Sequence, residues 1–161
     1  MYTRILSLAF LLALVIPVHA GDQRSSSLTV VQPWSRATAP GASVGVAYLE
    51  IVNAGAADTL TGIESPVAAH VEMHSMTTVN GVMQMRQLSS VEVPAKGRLQ
   101  FTPGGLHVML IDLKQPLREG DRFPLTLVFR SAGRLQVEAV VQGLGTSTAP
   151  ATKDNEHEHH H

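Results

Sequence analysis

Apolar and polar residues alternate, or apolar residues form short β-branched runs, between residues 28 and 141, and the 3.6-residue period of an amphipathic helix is not sustained. Pro, Gly and Asn residues typical of turns separate these segments. Many short strands at such spacing predict one all-β sandwich or barrel. The predicted strands are Leu28–Val31, Val44–Val52, Thr59–Glu64, Ala69–Met76, Val82–Leu88, Leu99–Thr102, His107–Leu113, Leu125–Phe129 and Arg134–Val141.

The first twenty residues have the pattern of an export signal rather than of a strand. A short positive segment ends at Arg4, an apolar stretch runs from Ile5 to Val18, and Val18-His19-Ala20 fits the small-x-small cleavage rule. The apolar stretch is shorter than the ~20 residues that span a bilayer. We therefore predict a cleaved signal peptide over residues 1–20, a periplasmic location and a folded domain over residues 21–144.

The last segment, residues 145–161, is polar and rich in Thr, Ser and Ala before it ends in histidines. Such a composition cannot bury apolar surface and predicts a disordered tail. A residual purification tag is one interpretation, but Glu158 interrupts the histidines, which favours a natural ending. Imidazoles on a flexible arm suit Cu(II), so a second and weaker Cu(II) site is a hypothesis for His157, His159, His160 and His161.

Composition excludes several classes of function. The chain of 161 residues has a formal net charge of −1, which offers no basic surface for nucleic acid. It has no cysteine, which excludes disulfides, thiol redox centres, Cys-ligated zinc, iron–sulfur clusters and the thiolate-dependent blue-copper site. It also lacks the Gly-x-Ser-x-Gly elbow of serine hydrolases and a recognisable acid pair, so we expect a protein without enzymatic activity.

Methionine and histidine cluster in the domain, whereas methionines that only fill core gaps should scatter. Two short stretches contain all of them between the signal peptide and the tail. These residues are His70, Met73, His74, Met76, Met83 and Met85 in the first stretch, and His107 and Met109 in the second.

An Asn80-Gly81 pair between two alternating runs is a strong signal for a tight β-hairpin. A two-residue turn there pairs Met76 with Met85 and places His74 diagonal to Met85, close enough for both side chains to reach one ion. His107 and Met109 share one face of their own strand, because side chains alternate. If that strand lies near the hairpin, two imidazoles and one or two thioethers converge.

Such donors select a metal by softness. Thioethers favour Cu(I) and imidazole is acceptable to it, whereas Mg²⁺ and Ca²⁺ prefer carboxylate oxygens and zinc is a poor match for methionine sulfur. The sequence therefore predicts a Cu(I) site. A site without thiolate should also hold the ion less tightly, which suits transfer better than storage.

The spacing His74, ten residues, Met85, twenty-one residues, His107-Val108-Met109 resembles the signature of the PCu(A)C (DUF461) periplasmic copper chaperones. Flanking segments agree with this family, including Trp34-Ser35-Arg36-Ala37-Thr38 and Pro103-Gly104-Gly105-Leu106. The resemblance covers about residues 28–142. It implies a cupredoxin-like Greek-key β-barrel or sandwich that binds Cu(I) through His74, Met85, His107 and Met109.

The resemblance also implies a partner. It points to delivery of copper toward the Cu(A) centre in subunit II of cytochrome c oxidase, directly or through a Sco-type protein. A copper-buffering or resistance protein would use the same ligands without a docking partner, and this alternative stays open. Met76 and Met83 are expected to pack beside the site or to join it, while His70 and Met73 are expected in the core or at an edge.

Overall fold

The computed structural model describes residues 27–149, and this part of the chain contains ten β-strands and no helix. Residues 27–149 therefore contain no helix that is long and apolar enough to cross a membrane. The strands are β1 Leu28–Arg36, β2 Val44–Asn53, β3 Asp58–Glu64, β4 Ala68–Val79, β5 Val82–Leu88, β6 Val91–Val93, β7 Arg98–Phe101, β8 His107–Leu113, β9 Arg122–Phe129 and β10 Gly133–Gln142.

All nine strands predicted from the sequence are present, and most are longer than predicted. Strand β1 continues through Pro33 because its pairing with β2 shifts register between Val31 and Trp34, where Gln32 has a φ of 47°. Such a bulge accommodates proline, which cannot donate a ladder hydrogen bond. The prediction missed β6, Val91–Val93, because three residues are too few to show an alternation.

The strands form one sheet in the order β5-β4-β8-β2-β1-β10-β9-β3-β6, and β7 pairs with the second half of β2 beyond β8. Only the pairing of β1 with β10 is parallel among the paired strands, which brings the two ends of the domain side by side. Strands β5 and β6 lie at the two ends of this order. The sheet is therefore open, and β5 is one of its edges.

One hydrophobic core holds the sheet together. It takes residues from strands near both ends of the order, such as Met73 and Leu110 on one side and Leu60 and Val93 on the other. Strands that far apart in a sheet share a core only if the sheet folds over on itself. The predicted cupredoxin-like all-β fold is confirmed.

Strand alternation divides β8 between two environments. Val108 and Leu110 are fully buried on the core side, while His107 and Met109 point to the opposite face of the sheet. The pleat of β8 therefore directs one set of side chains into the core and leaves the other set, on the opposite face, free to bind a ligand.

The predicted signal peptide and the histidines of the tail lie outside the described residues. Residues 145–149 are described, and the carbonyl of Thr146 accepts a 2.8 Å hydrogen bond from Nε of Arg36. The boundary between domain and tail at residue 145 stays a prediction.

Candidate metal centre

The β4–β5 hairpin has the turn and register that the sequence predicts. Asn80 and Gly81 have φ values of 51° and 78°, and positive values at both central positions are those of a type I′ turn. Met76 pairs with Met85 and His74 pairs with Gln87. Met85 is therefore on the same face as His74, one diagonal step away.

The pairing of β4 with β8 completes the arrangement. His74 lies directly opposite His107, and their ring centroids are 5.8 Å apart. Met109 follows two residues after His107 on the same face and lies opposite Glu72. The strand predicted to lie near the hairpin is thus its hydrogen-bonded neighbour.

His74, Met85, His107 and Met109 lie on the same face of the three neighbouring strands β5, β4 and β8, within one or two residue pairs of one another in register. We call these four residues the His/Met cluster. Its members differ in accessibility, since His107 is only 5% exposed and Met85 is 51% exposed. The cluster therefore has a buried imidazole on the β8 side and a solvent-accessible thioether on the edge strand.

Hydrogen bonds orient the two imidazoles differently. Nδ1 of His107 lies 3.0 Å from the carbonyl oxygen of Gly105, which can only accept, so His107 donates from Nδ1 and its Nε2 is free to bind a metal. Nε2 of His74 lies 2.8 Å from a carboxylate oxygen of Glu72. Nδ1 of His74 is buried without a hydrogen-bond partner.

The unpartnered Nδ1 of His74 is a candidate metal ligand. A buried polar atom without a partner is costly and uncommon, and a role as ligand to a bound ion is one of the standard reasons for it. Within residues 27–149, no three His, Asp or Glu side chains are placed to hold a metal by themselves. A site here therefore depends on the thioethers, and a mixed thioether and imidazole set fits Cu(I).

The remaining Met and His residues of the two stretches take separate places. Met73 is buried in the core as expected, and His70 is exposed near the start of β4. Met76 is half-buried opposite Met85, whereas Met83 is 64% exposed and lies two pairs closer to the turn. Met76 is therefore the methionine outside the cluster that lies nearest to it.

Glu72 and the carbonyl of Gly105 were not predicted to belong to the site, although both contact the cluster's imidazoles. Glu72 lies two residues before His74, so strand alternation placed it on the same face. That spacing is the signal that could have found it. Nothing in the sequence marks a backbone carbonyl such as that of Gly105.

Comparison with known proteins adds to this geometry. The family model described as "Putative lipoprotein LpqE-like" matches residues 28–141, which is most of the chain. The chain belongs to the LpqE-like family. A similar protein, described as "Putative lipoprotein Lxx21020" of Leifsonia xyli subsp. xyli, is 29% identical over 122 residues, covering 74% of this chain and 72% of that protein.

Solved structures similar to this chain include PCuAC domains. The copper-bound PCuAC domain from PmoF2 is 27% identical, with a TM-score of 0.62, and the match covers 73% of this chain and 93% of that domain. The Cu(I) form of DR1885 from Deinococcus radiodurans is 31% identical, with a TM-score of 0.54, covering 76% and 83%. The resemblance of this LpqE-like chain to the PCu(A)C family is confirmed.

Proposed function

We propose that this LpqE-like protein is a periplasmic copper chaperone that binds one Cu(I) ion through His74, Met85, His107 and Met109. The observation that carries the proposal is the outward-facing His/Met cluster, in which Nδ1 of His74 is buried and unpartnered. The copper-bound structures of the PmoF2 domain and of DR1885 support copper as the ion.

The accessibility of the cluster favours transfer over storage. Met85 lies on an edge strand and is half exposed, so an incoming ligand of a partner can displace its thioether first. His107 is buried and holds the ion from the other side. Because neither thiolate nor carboxylate is in this donor set, a partner with thiolate ligands would bind Cu(I) more strongly.

The proposed location is the periplasm, after removal of residues 1–20. The apolar leader supports export, and the family description names a lipoprotein, which is an exported class of protein. An oxidising compartment also suits a copper site built from methionine and histidine, since a free thiol there would oxidise.

The proposed recipient is the Cu(A) domain in subunit II of cytochrome c oxidase, or a Sco-type protein that loads it. The test is an NMR titration of the Cu(I)-loaded protein, labelled at the methionine methyl groups, with the apo Cu(A) domain. We expect the Met85 and Met109 signals to return to their apo positions as the acceptor takes the ion. If the acceptor stays empty, and a Sco-type protein does too, the copper-buffering alternative replaces the chaperone.

The histidine tail is proposed as a second site that takes Cu(II). Ser147, Thr148 and Ala149 lie beside Pro103, in the loop that precedes β8, where they line a cavity of about 360 Å³. The last described residues of the chain therefore lie beside the loop that leads to His107.

Replacing His157, His159, His160 and His161 together with serine should remove Cu(II) binding while leaving one equivalent of Cu(I) bound. The reason is that imidazole accepts Cu(II), whereas the His/Met cluster is a soft donor set. Isothermal titration with each ion measures both stoichiometries. An unchanged Cu(II) stoichiometry in this variant, and in a chain lacking residues 148–161, would refute the tail site.

A further inference from the structure

Glu72 is the carboxylate nearest to the His/Met cluster. It precedes His74 by two residues on β4, and one of its carboxylate oxygens lies 2.8 Å from Nε2 of His74. Both side chains are largely covered, with 29% of the Glu72 side chain and 15% of the His74 side chain exposed. Such a contact is more sheltered than an ordinary surface ion pair.

This contact decides which nitrogen of His74 can bind an ion. A carboxylate only accepts hydrogen bonds, so a neutral His74 must carry its proton on Nε2 to make this one. The lone pair then lies on Nδ1, the atom that is buried without a partner. His107 has the opposite arrangement, since Gly105 engages its Nδ1 and leaves Nε2 free.

We propose that Glu72 is a positioning residue that fixes the Nε2–H tautomer of His74 and thereby presents Nδ1 to Cu(I). The two imidazoles then bind through different atoms, Nδ1 in His74 and Nε2 in His107. This inference rests on the proposed function for its copper step, but its tautomer step concerns the metal-free protein alone.

The physical reason is the one that applies to histidine ligands in general. A ligating imidazole that donates its other N–H to a carboxylate or carbonyl is held in one tautomer and one orientation, and it becomes a stronger donor. Glu72 and the carbonyl of Gly105 supply one such acceptor to each imidazole. Without Glu72, His74 could place its proton on Nδ1 and lose the lone pair that faces the cluster.

The tautomer is measured first, in the metal-free protein at pH 8, by long-range ¹H–¹⁵N correlation of the histidine rings. We expect the Nε2–H form for His74 in the wild type and in Glu72→Gln, whose amide oxygen still accepts a hydrogen bond. Glu72→Ala should shift His74 toward the Nδ1–H form or a mixture. An Nδ1–H form of His74 in the wild type, or the same tautomer in Glu72→Ala, would overturn the proposal.

Copper affinity is measured second, by competition with a chromophoric Cu(I) chelator. Loss of such an outer partner typically costs 10–100-fold in metal affinity, so Glu72→Ala should bind Cu(I) about 10–100-fold more weakly. Glu72→Gln should stay within about threefold of the wild type, because it removes the charge but keeps the acceptor. Glu92→Ala, an exposed carboxylate on β6, is the matched control and should change nothing.

The outcomes separate this inference from the proposed function. Equal losses in Glu72→Gln and Glu72→Ala would mean that Glu72 acts through its charge, which overturns the positioning role. In the Cu(I)-loaded wild type, a metal-induced ¹⁵N shift at Nε2 of His74 instead of Nδ1 would also overturn it. If the wild type bound no Cu(I), the proposed function would fail while the tautomer measurement kept its own result.

Discussion

Replacing Met85 and Met109 together with leucine should weaken Cu(I) binding by more than about a hundredfold without unfolding the domain. Loss of an outer partner already costs up to about a hundredfold, and this variant loses two direct donors. Leucine has a similar volume to methionine, so the cost in stability should stay below about 1.5 kcal/mol. Competition with a chromophoric Cu(I) chelator measures the affinity, and urea unfolding measures the stability.

Met83→Leu is the matched control for this experiment. Met83 lies on the same strand as Met85 and is even more exposed, at 64%, but it pairs with Thr78, two pairs closer to the turn and farther from His74 than Met85 is. Its substitution should leave the affinity within about threefold of the wild type. Equal losses in Met83→Leu and in the double variant would show that the methionines bind copper as a general thioether surface. An unchanged affinity in the double variant would remove both thioethers from the site.

The hairpin could be predicted because its information is local. Two residues, Asn80 and Gly81, fix a type I′ turn, and the turn alone sets every pair from Val79 and Val82 outward. The position of Met85 relative to His74 follows from that register without any knowledge of the remaining fold. The relative positions of two of the four proposed ligands, His74 and Met85, could therefore be predicted from one short segment of sequence.

The pairing of β4 with β8 could not be predicted from the residues of these two strands. His74 and His107 are far apart in the chain, and which strand lies next to β4 depends on how the whole sheet folds around its core. Only the family resemblance implied that His107 and Met109 would join the hairpin. Strand β6 could not be predicted because it is only three residues long. The spacing of Glu72 and His74 predicts a shared face, but it does not show which ring nitrogen the carboxylate contacts.

The proposed copper site costs the domain little of its core. The cluster uses the outer face of β4, β5 and β8, while the inner faces of β4 and β8 contribute Met73, Val108 and Leu110 to the hydrophobic cluster. Because alternate residues serve the two purposes, ligands and core side chains can be changed separately. This separation predicts that damage to the core and loss of copper binding are distinct effects, which the next substitution tests.

Leu110→Ala should destabilise the domain by about 2–5 kcal/mol, a large part of the 5–15 kcal/mol typical of small domains. Leu110 follows Met109 on β8 and is 0% exposed, so its truncation leaves a cavity in the core. Urea unfolding monitored by circular dichroism gives the loss, and an unchanged slope with denaturant would show that the unfolded state is unaffected.

The same variant should keep its Cu(I) affinity within about threefold under conditions where it is folded, since the proposed ligands lie on the other face of the strands. Leu144→Ala, at a residue that is 65% exposed, is the matched control and should change stability by less than about 0.5 kcal/mol. A small loss in Leu110→Ala would mean that the core relaxes to fill the cavity. A large loss of copper affinity in the folded variant would mean that the two faces of β8 are coupled, contrary to the separation inferred from its pleat.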